Sequence, residues 1–134
     1  MRLQRMEHFL VLTDDIDKTK DFYCNALGMQ PGFRPELDFP GYWIYLGEIP
    51  VVHIAEHKPY ITWTQEVGIP ISTGPYGTGA LDHIAFNASD FDATMEHLRN
   101  LGIESSYNIL ADIGLRQIFV KDPNGLAIEL NFRA

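Results

Sequence analysis

An internal repeat is the sequence feature that most constrains the fold of this chain, because a duplicated sequence predicts two similar structural modules. The segment Met6–Val11 is similar to Leu81–Phe86, and an acidic segment follows at the matching place in each half. A helical pattern that stops at a glycine comes next, at Gly28 in the first half and Gly102 in the second. Strand-like runs and a final hairpin complete both halves, so each half is predicted to be β-α-β-β-β.

The two halves are expected to form a single α+β domain. The chain has 134 residues, of which 46% are hydrophobic, so it can bury a core without disulfides or other staples. Each half has one amphipathic helix and a sheet that needs cover, and neither half would bury enough surface alone. We expect one domain over 1–134, with a first module at about 1–58, a linker loop at 59–79 and a second module at 80–134.

A segment between the halves, Glu56–Ala80, interrupts the repeat. It contains three prolines and four glycines and is interpreted as a connecting loop. Long loops in compact domains are usually functional lids or linkers. Trp63 and Tyr76 are candidates to cover a pocket, with packing or an interface as the other interpretations.

Charge and cysteine content exclude several classes of protein. The net charge is −8, which disfavours nucleic acid and anionic membrane as partners, because both require a basic surface. The sequence has no apolar run near the length of a membrane span. Cys24 is the only cysteine and cannot form an intrachain disulfide. A cytoplasmic, soluble protein is therefore expected.

Four side chains that are able to bind a metal occupy matching positions in the repeat. His8 and His83 both open the first strand of their halves, whereas His53 and Glu129 lie in the last strand. The spacing from His8 to His53 is 45 residues and that from His83 to Glu129 is 46. If the sheets curve towards each other, all four side chains converge on one point.

Three imidazoles and a carboxylate suit a divalent ion such as Zn, Ni, Fe(II), Mn or Co. With these four ligands, an octahedral ion keeps two positions for water or for a substrate that offers two oxygens. A single histidine in a strand is weak evidence, so the prediction depends on the matching positions. His57 is a candidate outer-shell residue, and His97 is expected on a solvated helix face.

Four segments resemble the vicinal oxygen chelate superfamily: His8–Leu12, Asp21–Met29, Asp82–Phe86 and Val120–Leu130. That group includes glyoxalase I, extradiol dioxygenases, methylmalonyl-CoA epimerase, and fosfomycin and bleomycin resistance proteins. The resemblance covers nearly the whole chain apart from 56–80. It implies two βαβββ modules that form a curved mixed sheet around a metal cleft, a small-molecule substrate and a homodimer. In several members the two modules of a site come from different chains.

The resemblance first implies a glyoxalase-like lyase or isomerase. In that chemistry the metal binds adjacent substrate oxygens and stabilises an enediolate while a carboxylate moves a proton. Glu129 is then both a metal ligand and the catalytic proton carrier. In glyoxalase I and the epimerase, the place of His53 is filled by Glu or Gln. Bacterial glyoxalase I enzymes tend to have Arg where this chain has Leu12, so binding of a glutathione carboxylate stays open.

The alternatives are an Fe(II) extradiol-type dioxygenase and a non-catalytic drug-binding resistance protein. A dioxygenase would use His8, His83 and Glu129 as its triad, but Phe119 stands where that family typically has Tyr. Bleomycin-sequestering proteins generally lack the metal ligands, so a full set favours catalysis. Fosfomycin transferases use a cluster of Lys, Ser and Arg, and Arg116 is the only obvious cation near the strands of the second half.

Four residues are candidates for substrate binding. Arg116 would grip an anionic group, and the alternative is a surface charge on an alternating strand. Tyr45 and Phe119, together with Trp43, would line the pocket, although aromatic residues in strands more often belong to the core.

Overall fold

A computed structural model gives the structure of residues 1–2, 4–69, 78 and 81–133. The chain divides into two compact units, residues 1–75 and 76–134. The first unit contains β1 (Phe9–Thr13), α1 (Ile16–Asp21) with a π-helical continuation (Phe22–Ala26), β2 (Gln30–Gly32), β3 (Gly41–Leu46), β4 (Ile49–Glu56) and α2 (His57–Val67). The second unit contains β5 (His83–Ala88), α3 (Phe91–Asn100), β6 (Ser106–Leu110), a short 3-10 turn (Ala111–Ile113), β7 (Leu115–Lys121) and β8 (Ala127–Arg133).

Each unit forms a four-stranded mixed sheet with the same topology. The strand orders are β1-β4-β3-β2 and β5-β8-β7-β6. In both sheets the first strand pairs in parallel with the last, and the other neighbours are antiparallel. The predicted α+β class and the β-α-β-β-β order of each half are confirmed. That the two units pack as one domain stays a prediction.

The first helix of each unit begins and ends in the same way, as the repeat predicts. The side chain of Asp15 accepts a hydrogen bond from the backbone N–H of Lys18, and that of Asp90 accepts one from Ala93. These carboxylates satisfy N–H groups that have no partner within the helix. A glycine with positive φ then reverses the chain after each helix, which is why both helices stop there.

Strand alternation separates a buried face from a partly exposed face in each sheet. Ile54 on β4 and Ile128 on β8 are among the most buried residues of their units. The helices of the repeat contribute Tyr23 and Leu98 to these cores. Because neighbouring residues of a strand point to opposite faces, the residue that precedes Ile54 and the one that follows Ile128 project away from the core. Those two residues are candidate metal ligands.

The prediction of a loop over Glu56–Ala80 is wrong for residues 57–67, which form helix α2. Pro59 is the third residue of the helix, where its missing N–H costs no hydrogen bond. Gly68 has a φ of 76° and ends the helix in the left-handed conformation. The proline and the glycine therefore mark the start and the stop of a helix, although both residue types are also typical of loops.

Trp63 on α2 packs inside the first unit. Its ring centroid lies 5.0 Å from that of Phe39 and 6.0 Å from that of Tyr60. Of the two aromatic residues considered as pocket covers, Trp63 therefore has a packing role, and Tyr76 lies outside the described residues. No helix in the described part of the chain is long and apolar enough to cross a membrane.

Candidate metal centre

In the first unit the strand register brings His8 and His53 together. Leu10 pairs with His53 across the parallel strands β1 and β4, and His8 lies two residues before Leu10. Alternate residues share a face of the sheet, so His8 and His53 are diagonal neighbours on one side. Their rings stack with centroids 3.7 Å apart and an angle of 9° between the planes. Trp43, which pairs with His53 from β3, stacks on the other side at 4.1 Å.

The position of His53 between the rings of His8 and Trp43 keeps its imidazole neutral over a wide pH range. The pKa of His53 is lowered from 6.5 to about 4, first because burial penalises the charged ring and next because His8 lies alongside. A neutral imidazole has a free lone pair, which is what a metal ligand needs. His53 therefore has the protonation state of a ligand at neutral pH.

The stacked rings of His8 and His53 cannot bind one ion without a change of side-chain conformation. The lone pair of an imidazole nitrogen lies in the plane of its ring, and these two planes are nearly parallel. His53 is enclosed between two rings, whereas 35% of the His8 side chain is exposed. The His8 ring therefore has room to turn towards an ion that His53 binds.

In the second unit the same register places His83 beside Glu129. Ala85 pairs with Glu129 across the parallel strands β5 and β8, and His83 lies two residues before Ala85. The distance from His83 Nε2 to Glu129 Oε2 is 3.7 Å. The Glu129 side chain is 15% exposed, so a partly buried carboxylate faces an imidazole nitrogen.

An acidic residue precedes the histidine in both units and engages its Nδ1 atom. The distance from His8 Nδ1 to Glu7 Oε1 is 3.0 Å, and that from His83 Nδ1 to Asp82 Oδ2 is 2.8 Å. The hydrogen bond to Asp82 is the main reason why the pKa of His83 is raised above 6.5. Metal-binding histidines commonly donate one N–H to a carboxylate, which directs the other nitrogen to the metal. The acid–histidine dipeptide is repeated in the sequence, at Glu7-His8 and Asp82-His83, and this repetition is the signal for the contact.

The four candidate ligands therefore form two pairs, one in each unit. Within the residues that the structure describes, no group of three or more His, Cys, Asp and Glu side chains is arranged to hold a metal. The donor types and the acid–histidine contacts fit a divalent ion. A four-ligand set requires one pair from each unit.

Gln117 is a residue of this site that the sequence analysis missed. It lies on β7, two residues before Phe119 and therefore on the same face of the sheet. Its side-chain amide donates to Glu129 Oε1 at 2.5 Å and to Asn131 Oδ1 at 3.1 Å. The signal available in the sequence was a polar residue two positions before the pocket candidate Phe119, and therefore on the same face of an alternating strand.

Of the aromatic candidates, Phe119 lies beside a proposed ligand. It pairs directly with Glu129 across β7 and β8. Tyr45 donates its hydroxyl to the carbonyl of Phe33 at 2.7 Å, and its ring covers Gly32 so closely that a side chain there would collide with it. Trp43 is the ring that stacks on His53.

Arg116 lies on the opposite face of the second sheet from Glu129. It pairs with Phe132, whereas Glu129 pairs with Phe119, and positions three apart on a strand point to opposite sides. Its guanidinium lies 4.4 Å from the Phe91 ring centroid and 3.7 Å from Asp92. The structure therefore does not bring Arg116 to the Glu129 pair. It lines a separate pocket of about 220 Å³ at the start of α3.

The other two histidines lie away from the strand pairs. His57 is buried at the first position of α2, with its Nδ1 atom 3.9 Å from Asp14 Oδ1. His97 is exposed on α3, as the solvated helix face predicts.

Residues 5–130 match the Glyoxalase/Bleomycin resistance protein/Dioxygenase superfamily, and the chain belongs to it. It is 26% identical over 133 residues to a protein from Arabidopsis thaliana named Glyoxylase I 4, covering 97% of this chain and 71% of that one. It is also 26% identical to a probable lactoylglutathione lyase from Synechocystis, covering 92% and 91% of the two chains. These names support the glyoxalase-like chemistry at a coarse level.

The fold is also that of a solved single-residue mutant of the fosfomycin resistance protein FosX from Listeria monocytogenes. The TM-score is 0.72 at 16% identity, with 99% of this chain and 95% of that chain covered. That structure is a complex with Mn(II) and 1S,2S-dihydroxypropylphosphonic acid. At this identity the likeness shows a shared fold.

We predict that His53 makes the metal-free protein less stable in acid. Its pKa is about 4 in the folded chain and near 6.5 when unfolded, so between these values the unfolded state binds more protons. Its contribution to stability is therefore complete above about pH 6.5 and is lost as the pH falls towards 4. Urea unfolding from pH 7.5 to 4 should show a shallower loss of stability in His53→Gln than in the unchanged protein. If the free energy of unfolding falls equally with pH in both proteins, the prediction is contradicted.

Proposed function

We propose that this protein is a metal-dependent, glyoxalase-like lyase or isomerase whose ligands are His8, His53, His83 and Glu129. The observation that carries the proposal is the pairing of a histidine with a second donor at the same register position in both units. Membership of the superfamily and the names of the relatives support it. The metal would be Zn, Ni, Fe(II), Mn or Co.

The proposed chemistry requires a substrate with two adjacent oxygens. A bound divalent ion would supply Lewis-acid polarisation of those oxygens. Glu129 would take a proton from the carbon that carries the hydroxyl and return a proton to the neighbouring carbonyl carbon. The hydroxyl proton moves to the former carbonyl oxygen, so the product is an isomer and no oxidant is needed.

The residues around Glu129 suit this role. The Phe119 ring, paired with Glu129 across the sheet, would offer an apolar surface to a substrate. Gln117 and Asn131 supply neutral hydrogen-bond donors to the carboxylate. Because those donors carry no charge, the negative charge of an ionised Glu129 stays available to a cation or to a proton.

An Fe(II) dioxygenase is the second candidate, and it has less support. The pairing of Phe119 with Glu129 puts a ring without a hydroxyl at the place where the resemblance to extradiol enzymes implies Tyr. A phenyl ring can neither donate nor accept a proton during ring cleavage. His53 would also take up a coordination position that oxygen or a catechol needs.

We predict metal-dependent isomerisation of a methylglyoxal–thiol adduct. Protein stripped with a chelator and reloaded with Ni, Zn, Mn, Co or Fe(II) should turn over the adduct, and the stripped protein should not. Glu129→Gln should lower kcat by about 10²- to 10⁴-fold, which is the usual contribution of a general acid or base. Oxygen consumption with Fe(II) and a catechol, without turnover of the adduct, would favour the dioxygenase instead.

We predict that His53 is a true ligand. His53→Ala should weaken metal binding by more than about 100-fold, because even outer-shell partners of metal sites typically contribute 10- to 100-fold. Competition with a chromophoric chelator gives the affinity. His97→Ala, on the exposed face of α3, is the control and should bind the metal normally. Unchanged affinity in His53→Ala would reduce the site to His8, His83 and Glu129.

We predict a homodimer in which each site takes one pair of ligands from each chain. The variants His53→Ala and Glu129→Ala should both be inactive alone. After unfolding and refolding as an equal mixture, half of the dimers contain both chains and each such dimer has one intact site. The mixture should recover about a quarter of the activity of the unchanged protein. No recovery would place all four ligands of a site in one chain.

A further inference from the structure

Gln117 is the most buried polar side chain in contact with a proposed ligand. Only 9% of it is exposed, and it lies on β7 in the middle of the second sheet. A buried amide needs partners for both its N–H groups and its carbonyl oxygen, because each unsatisfied group costs free energy. All three needs are met here by polar side chains on the ligand face of the sheet.

The hydrogen bonds determine which end of the Gln117 amide faces Glu129. Asn108 on β6 donates its side-chain N–H to Gln117 Oε1 at 3.2 Å. The nitrogen end is therefore directed to Glu129 Oε1 and Asn131 Oδ1 on β8. A reversed amide would place its carbonyl oxygen against the carboxylate and would lose the hydrogen bond to Glu129. Gln117 is thus held as a donor towards Glu129.

The two oxygens of Glu129 consequently have different surroundings. Oε1 accepts the short hydrogen bond from Gln117, at 2.5 Å. Oε2 lies 3.7 Å from His83 Nε2 and accepts a longer hydrogen bond, at 3.4 Å, from the amide of Asn131. Oε1 is therefore held by a side chain of the neighbouring strand β7, and Oε2 faces His83.

We propose that Gln117 is a positioning residue that holds Glu129 by Oε1, so that Oε2 is the oxygen presented beside His83 to the metal. This role rests on the proposed function, because it assumes that Glu129 is a ligand. It also predicts that Glu129 binds through one oxygen, since the other is committed to Gln117. Trp43 pairs with His53 in the first unit as Phe119 pairs with Glu129 in the second. The position equivalent to Gln117 is therefore Gly41, which has no side chain. A positioning amide is thus present at this position in the second unit and not in the first.

The first test is metal affinity in Gln117→Met, which keeps the length of the side chain and removes its donors. Chelator competition should show a loss of about 10- to 100-fold, the range typical of outer-shell partners. Lys121→Gln is the matched control, because Lys121 is an exposed residue of the same strand and the same face. Equal affinity in the protein with Gln117→Met and in the unchanged protein would overturn the positioning role.

The second test needs no metal and therefore separates this proposal from the proposed function. In the metal-free protein, the side-chain amide protons of Gln117 are followed by NMR. Their resonances should move strongly in Glu129→Gln and hardly at all in Lys121→Gln. If they move equally little in both, Gln117 does not hold Glu129 and the proposal fails. If the unchanged protein takes up no metal, the proposed function fails and Oε2 is not a metal ligand, and the amide resonances then decide only whether Gln117 holds Glu129 in the metal-free protein.

Discussion

The parallel pairing between the first and last strand of each unit is the constraint on which the rest of the structure depends. Parallel neighbours cannot be joined by a tight turn, so the helix and the two other strands of each unit lie between them in the chain. This pairing sets His8 beside His53 and His83 beside Glu129. A slip of one residue in either register would turn a donor towards the core.

The core and the candidate site are two faces of the same strands. Ile54 and Ile128 are buried because they point to the helix side, and the same alternation directs His53 and Glu129 to the other face. Loss of packing beneath the sheet would therefore move these candidate ligands as well. The hydrophobic core supplies the rigidity that a metal site needs, since its ligands must stay within a few tenths of an ångström of their positions.

The two halves have the same strand register, but the side chains around their candidate ligands differ. In the first unit, aromatic rings enclose His53, and burial lowers its pKa to about 4. In the second unit, amides surround Glu129, and the hydrogen bond to Asp82 raises the pKa of His83. Duplication thus preserved the backbone positions of the donors, whereas the neighbouring side chains diverged. The two halves therefore differ in chemistry: the first holds an imidazole with a lowered pKa, and the second holds a carboxylate that accepts a hydrogen bond from Gln117.

The sequence by itself determined the repeat, the order of elements in each half and the matching positions of the four candidate ligands. Periodic patterns and glycine stops report on local backbone preferences, which these short strands and helices follow. The sequence did not determine that Pro59 and Gly68 mark the two ends of a helix, because both residue types are also common in loops. Strand parity alone would have separated Arg116 from Phe119. Only the tertiary structure decided that Trp43 encloses His53 and that Gln117 holds Glu129, since these contacts join strands whose register is set by packing.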